Sequence, residues 1–135
     1  MGRPLIYLDA NVVIRLVEGD AATRAPLVAR LAPSLGVPGS LVRSRPTRLE
    51  CRSKPLRAGD LATLARFDVF FAGVELVLAE VSPAVVERAT DLRANYSLKT
   101  PDALHYATAV EIGATVFLTG DRGPARCVEV PVEVL

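Results

Sequence analysis

Short apolar runs alternate with amphipathic stretches along the whole chain. The first run, Leu-Ile-Tyr-Leu at residues 5–8, predicts a strand that is buried on both faces and ends abruptly at Asp9. Four further strands are predicted at residues 36–42, 74–81, 114–119 and 127–135. The last of them alternates valines with polar residues, so we expect it at an edge of the sheet.

Helices are predicted between these strands from apolar residues at helical spacing, and from three start signals in which serine or threonine stands close before proline. The first begins at Asn11, and the others span residues 22–35, 45–55, 60–71, 83–95 and 101–110. Gly36 and Gly113 follow two of them as terminators. Strands alternating with helices predict an α/β fold with a central, mostly parallel sheet of four to five strands and helices on both faces.

Composition limits the class of protein. The chain has 135 residues and a hydrophobic fraction of 50%, so we expect residues 1–135 to form a single domain with a sizeable core. Cys51 and Cys127 are far apart, which argues against structural zinc and against a disulfide-rich secreted scaffold. Three polar residues interrupt the apolar stretch near the N-terminus, so it predicts neither a signal peptide nor a membrane span. We therefore expect a cytoplasmic protein without a membrane partner.

The formal net charge is +1, so the overall charge indicates no particular partner. Basic residues are nevertheless concentrated around Glu50. They are Arg43, Arg45, Arg48, Arg52, Lys54 and Arg57. Such a block is suited to phosphate binding, while a solvated helix face is the simpler interpretation of the same pattern, and both stay open at this point.

Acidic residues stand at special places on this map. Asp9 and Asp121 each come directly after an apolar strand, and Asp102 lies in the first turn of a predicted helix. Because parallel strands end at the same edge of a sheet, we expect these carboxylates to lie close together, with Glu50 as a fourth candidate. Grouped carboxylates repel one another unless a cation neutralises them, and Mg²⁺ or Mn²⁺ suits an all-oxygen site.

Each of these acids also has a simpler interpretation. Asp102 is explained as a first-turn acid favoured by the helix dipole, and Asp121 as a turn residue. Glu50 is explained by surface pairing with its arginine neighbours. Asp9 is harder to explain in this way, because a carboxylate that ends a buried strand needs a cap or a ligand. Only the joint arrangement favours a common site.

Four motifs in order carry a resemblance to a known family. They are Ile6-Tyr7-Leu8-Asp9-Ala10-Asn11, Thr47-Arg48-Leu49-Glu50, Pro101-Asp102-Ala103-Leu104-His105-Tyr106-Ala107 and Phe117-Leu118-Thr119-Gly120-Asp121. Together they resemble the PIN-domain family, and specifically the VapC-type toxins of toxin-antitoxin pairs. The resemblance covers essentially the whole chain and implies a PIN-like α/β/α sandwich.

The resemblance implies a Mg²⁺- or Mn²⁺-dependent endoribonuclease in which metal-activated water hydrolyses RNA. Its acidic metal site would consist of Asp9, Glu50, Asp102 and Asp121, supported by the polar residues Asn11 and Thr119. His105, one helical turn after Asp102, is expected to pack or to orient. RNA phosphates would be held by Arg43, Arg45, Arg48, Arg52 and Lys54. A cognate antitoxin and a homodimer are the expected protein partners, on the apolar helices between residues 22 and 71.

Two positions differ from the usual family pattern. The family often has asparagine where this chain has Gly120, and an aromatic residue where it has Pro124. Two other functions compete with the nuclease interpretation. A phosphatase of the haloacid-dehalogenase type needs a second aspartate where this chain has Asn11. A non-catalytic PIN-like module that binds RNA or protein is the other alternative.

Overall fold

The computed structural model describes residues 4–135, and its centre is a five-stranded sheet. The strands are Ile6–Leu8 (β1), Leu41–Ser44 (β2), Leu76–Ala79 (β3), Val116–Thr119 (β4) and Val132–Val134 (β5). Their order is β3-β2-β1-β4-β5, and every neighbouring pair is parallel. The carboxyl ends of all five strands therefore lie at one edge of the sheet.

Six helices connect the strands. They are Ala10–Glu18 (α1), Ala21–Leu31 (α2), Arg45–Ala58 (α3), Leu61–Phe71 (α4), Pro83–Tyr96 (α5) and Thr100–Ile112 (α6). Side-chain caps begin three of them, because Asp20, Asp60 and Ser82 each accept a hydrogen bond from the amide three residues later. Glycines with positive φ end α3 and α6, at Gly59 and Gly113. None of the described helices is long and apolar enough to cross a membrane.

Two apolar layers cover the faces of the sheet. One layer packs Ile6 and Leu8 of β1 against helices α1 to α4. The opposite layer packs Tyr7 of β1 and Phe117 of β4 against α5 and α6. Phe117 stacks on Tyr7 with ring centroids 5.4 Å apart and meets the edge of Tyr106 at 5.3 Å. β1 is therefore buried on both faces, as its sequence predicts.

The predicted α/β architecture is confirmed, with a sheet that is parallel throughout. Some boundaries were wrong. The strand predicted at residues 36–42 begins only at Leu41, because Gly36 and Gly39 adopt positive φ values in the preceding loop. Helix α2 stops at Leu31, where a 3₁₀ turn follows. In the tail, only Val132–Val134 pairs with β4, although it does form the expected edge strand.

Candidate functional site

Asp9 links the central strand to the first helix. It stands between β1 and α1, where its Oδ1 accepts a hydrogen bond from the Ala10 amide at 2.9 Å. Asp9 as a whole is only 3% exposed. Burial raises the pKa of Asp9, more than the nearby His105 and the hydrogen bond from Thr119 lower it. The orientation of the carboxylate is therefore fixed, and little of it is accessible to solvent.

Asn11 and Thr119 tie Asp9 to the end of β4. The Thr119 hydroxyl donates to Asp9 Oδ2 at 2.8 Å, and the Asn11 amide nitrogen lies 3.4 Å from the same oxygen. Asn11 Oδ1 accepts from the Gly120 amide at 2.8 Å, and the Asp121 amide donates to the Thr119 hydroxyl at 3.0 Å. The two predicted supporting residues thus join the ends of β1 and β4 into one hydrogen-bonded unit.

Asp102 and Asp121 meet beside Gly123. Asp121 Oδ1 accepts from the Gly123 amide at 3.1 Å. A methyl group on Gly123 would lie 3.6 Å from Asp102 Oδ2 and 3.7 Å from Asp121 Oδ2, so both carboxylates face this glycine. Burial, followed by the charges of Asp9 and Asp121, raises the pKa of Asp102. Three of the four predicted acids are therefore close enough to repel one another.

Glu50 reaches the same region from the middle of α3. Its Oε1 lies 2.6 Å from Nε2 of His105, which is itself only 1% exposed. On the other side of the ring, Nδ1 lies 2.7 Å from the Tyr7 hydroxyl, which in turn donates to Ser44 Oγ at 2.8 Å. The expected packing or orienting residue His105 therefore contacts a predicted site acid directly.

The pKa of His105 reflects its acidic surroundings. Burial alone lowers the pKa of this imidazole, and the hydrogen bond to Glu50 together with the charges of Asp9, Glu50 and Asp102 outweighs burial and raises it. Burial also raises the pKa of the Tyr7 hydroxyl well above its usual range. Tyr7 therefore stays a neutral donor at physiological pH.

The donor set fits a hard divalent cation in its chemistry. All four candidate ligands are carboxylates, and their mutual repulsion is a cost that a bound cation would remove. Within residues 4–135, no group of three or more acidic, histidine or cysteine side chains is already arranged to hold a metal ion. Asp9, Glu50, Asp102 and Asp121 are thus the residues that could hold the ion, after their side chains close around it.

The predicted phosphate-binding arginines line a groove of about 410 Å³ along α3. Its walls are Arg43, Arg45, Arg48, Leu49, Arg52, Ser53 and Leu56. Most of these cations already have partners. Arg45 pairs with Glu80, and both Arg48 and Arg52 pair with Asp68.

Two other members of the basic block differ from these. Arg43 lies over the Phe71 ring, with Cζ 4.6 Å from the ring centroid. Lys54 is exposed and is not part of the groove wall. The basic block is therefore largely a paired helix face that also borders a groove lined by arginines, and phosphate binding there stays a prediction.

Sequence reasoning missed two cations beside the acids. The Arg15 guanidinium packs directly on Gly120 and donates to the main-chain oxygen of Leu135 at 2.9 Å, so this flexible side chain would have to shift to admit a side chain at position 120. Lys99, at the start of α6, is exposed, and its charge lowers the pKa of Asp102. Its position three residues before Asp102 was the available signal.

Comparisons with known proteins place this geometry in a family. Of the solved structures, VapBC2 from Rickettsia felis bound to a promoter DNA fragment matches with a TM-score of 0.76 and 14% identity, covering 96% of this chain and 98% of that one. A toxin-antitoxin complex from Klebsiella pneumoniae matches with a TM-score of 0.69 and 24% identity, covering 93% and 94%. VapC20 from Mycobacterium tuberculosis, a sarcin-ricin loop cleaving toxin, matches with a TM-score of 0.66 and 22% identity, covering 93% and 98%.

The likeness to these structures is a likeness of fold, since each is less than 25% identical to this chain. A search of curated proteins finds no match. The family itself follows from the sequence model of the PIN domain, which matches residues 6–129 and so includes all four candidate acids. The chain belongs to the PIN domain family.

Proposed function

We propose that this chain is a divalent-metal-dependent endoribonuclease of the VapC toxin type. The observation that carries the proposal is the meeting of Asp9, Asp102 and Asp121 at the carboxyl edge of the sheet, where burial, followed by the charges of Asp9 and Asp121, raises the pKa of Asp102. Glu50 reaches the same region and is hydrogen-bonded there to His105. Repelling carboxylates held in place by a folded scaffold are typical of a cation site rather than of a structural core.

The chain's own residues supply fixed ligands. Asp9 keeps its direction because Ala10 and Thr119 donate to its two oxygens, and Asn11 holds Thr119 and Gly120 in register. When bound, Mg²⁺ or Mn²⁺ supplies a Lewis acid that activates water and offsets charge on the leaving oxygen. Hydrolysis by water needs no ribose hydroxyl and leaves 5′-phosphate and 3′-hydroxyl ends.

The arginine groove along α3 is the proposed contact for RNA phosphates. Arg43, Arg45, Arg48 and Arg52 line it, and Lys54 stands nearby on the same helix. Because all of these cations except Arg43 lie on the helix that also carries Glu50, a strand held there passes near the acids. Lys99 and Arg15 add positive charge beside Asp102 and Gly120.

A cognate antitoxin and a second copy of the chain are the proposed protein partners. Exposed apolar side chains are frequent on the helices expected to form these contacts. They include Val28, Leu49, Leu56, Leu61 and Val69. Similar structures from Rickettsia felis and Klebsiella pneumoniae are toxin-antitoxin complexes, which supports a partner of the same kind. Co-purification with the protein encoded by the adjacent gene, followed by mass measurement of the complex, tests both partners.

The test of the nuclease is cleavage of cellular RNA by the purified chain, separated from any partner, with Mg²⁺ or Mn²⁺. We expect discrete fragments with 5′-phosphate ends, and we expect none with EDTA or with the Asp9→Asn variant. Asp91→Asn is the matched control, because Asp91 is an exposed acid on α5 outside the acid group. It should cleave at the wild-type rate.

Two results would contradict the nuclease. Fragments that persist in EDTA or in Asp9→Asn would indicate a contaminating enzyme. Absence of cleavage by folded protein that binds Mn²⁺ would favour the non-catalytic RNA- or protein-binding module. In that case, gel-shift binding of the same RNA pool would separate an RNA-binding module from a protein-binding one.

A further inference from the structure

We propose that His105 is a positioning residue that holds Glu50 at the acid group, and that Tyr7 and Ser44 hold His105 in turn. The functional consequence of this inference rests on the proposed function, because the residue that His105 supports is one of the proposed metal ligands. It does not depend on that function for its geometry, which consists of contacts among four side chains.

Glu50 has the longest side chain of the four candidate acids, so its position depends most on a supporting contact. Asp9 is fixed by two hydrogen bonds at the end of β1, and Asp121 accepts from the Gly123 amide. Glu50 projects from the middle of α3 on a longer side chain that is 33% exposed. Among the described residues, its carboxylate accepts one hydrogen bond, from His105 Nε2. Without that bond, the side chain would sample several rotamers in solvent.

His105 is itself fixed by the core of the molecule. Its Nδ1 lies 2.7 Å from the Tyr7 hydroxyl and 3.5 Å from Ser44 Oγ. The Tyr7 ring is fully buried and stacks on Phe117 with an interplanar angle of 8°. The support of Glu50 therefore begins in two strands of the sheet and crosses α6 to reach α3.

The arrangement determines which imidazole nitrogen carries the proton. A carboxylate oxygen 2.6 Å from Nε2 is an acceptor, so Nε2 must carry hydrogen. The bond occupies Oε1 and leaves Oε2 of Glu50 for a cation. Since His105 is 1% exposed, it cannot reach substrate, and its role is to orient Glu50.

The first test uses the fact that His105 is the single histidine of the chain. In untagged, ¹⁵N-labelled protein, long-range ¹H–¹⁵N spectra should show one imidazole with a proton on Nε2. Adding Mg²⁺ should shift this signal, and Glu50→Ala should abolish the shift. Glu87→Gln, an exposed acid on α5, is the control and should leave the shift unchanged. A proton found on Nδ1 alone would overturn the proposal.

The second test measures Mn²⁺ affinity by calorimetry, with circular dichroism to verify folding. His105→Phe should weaken Mn²⁺ binding about 10- to 100-fold, the usual effect of losing a partner of a metal ligand. His105→Gln, whose amide can donate from the place of Nε2, should restore most of the affinity. In the His105→Phe background, Glu50→Ala should cause little further loss, because Glu50 is already displaced.

Where His105→Phe does not fold, Tyr7→Phe takes its place, since it removes only the hydroxyl behind the ring; it should weaken Mn²⁺ binding in the same direction. Unchanged affinity in a folded His105→Phe or Tyr7→Phe chain would overturn the proposal. Neither test uses RNA. A chain that binds Mn²⁺ through Glu50, with Glu50 held by His105, yet does not cleave RNA would therefore contradict the nuclease alone.

Discussion

Individual carboxylates lower the stability of the folded chain at neutral pH. Asp102 is partly buried beside Asp121 and near Asp9, and its pKa is raised by burial first and by those charges second. A raised pKa means that the folded chain binds more protons than the unfolded chain in the window between the two pKa values. Stability therefore falls as pH rises through that window, and the cost remains at neutral pH.

Replacing this charge should stabilise the metal-free chain. We expect Asp102→Asn to raise the melting temperature by a few degrees at pH 7 in EDTA. The difference should shrink as the pH falls through that window and be nearly lost below about pH 4, where the carboxyl of the unfolded chain is also protonated. Thermal melts from pH 3 to pH 8 measure it, with the exposed Asp91→Asn as control. A variant that is less stable than wild type at pH 7 would contradict the repulsion.

The fourteen residues of helix α3 contribute to three parts of the molecule, which are the core, the arginine groove and the candidate acid group. Its start is fixed by Ser44, whose amide donates to Thr47 Oγ1 at 3.3 Å. One face carries Cys51 into the core, and another carries the groove arginines. Helix α4 contributes Asp68, which holds two of those arginines on the surface. Two of the groove's cations are therefore already paired with an acid of the neighbouring helix.

Removing this acid should free the groove for RNA. We expect Asp68→Asn to strengthen RNA binding several-fold at low salt, because Arg48 and Arg52 become available for phosphates. The slope of log K against the logarithm of the salt concentration should become steeper by about one unit. The fold should lose less than about 1 kcal/mol, since the pairs are solvent-exposed. Filter-binding titrations at several salt concentrations, on cleavage-inactive Asp9→Asn protein, make the measurement. Equal affinity and slope would place RNA elsewhere.

At the scale of the whole molecule, one topological fact gathers the site. All five strands are parallel, so β1 and β4 end beside each other and their acids face the start of α6. The apolar layers on both faces fix that edge rigidly. The proposed cation therefore joins elements from all three thirds of the chain, and its binding should stabilise the whole fold.

Mn²⁺ should therefore raise the melting temperature of the wild-type chain. At a hundredfold excess over its dissociation constant, a ligand specific to the folded state adds about 2.7 kcal/mol to the free energy of unfolding. The shift should be absent in Asp9→Asn and retained in Asp91→Asn. A shift of equal size in Asp9→Asn would indicate that Mn²⁺ binds away from the acid group.

Much of this site was predictable from strand ends. An apolar run that stops at a carboxylate places Asp9 and Asp121 at the carboxyl edge, because parallel strands share that edge. The bond between Glu50 and His105 was not predictable, since it depends on how α3 and α6 approach across 55 residues. The pairing of Arg48 and Arg52 with Asp68 likewise arises from helix packing. The glycine turns before Leu41 shifted β2 for a local reason that apolar runs do not encode.

Cys51 gives the burial of α3 a further use. It follows Glu50 directly, is 1% exposed, and burial raises the pKa of its thiol to about 12, so it resists alkylation while α3 stays packed. Its rate of modification therefore reports how often this helix leaves the core. Because Glu50 moves with the same backbone, the rate of Cys51 modification also measures how often Glu50 leaves the acid group. The measurement needs neither RNA nor metal.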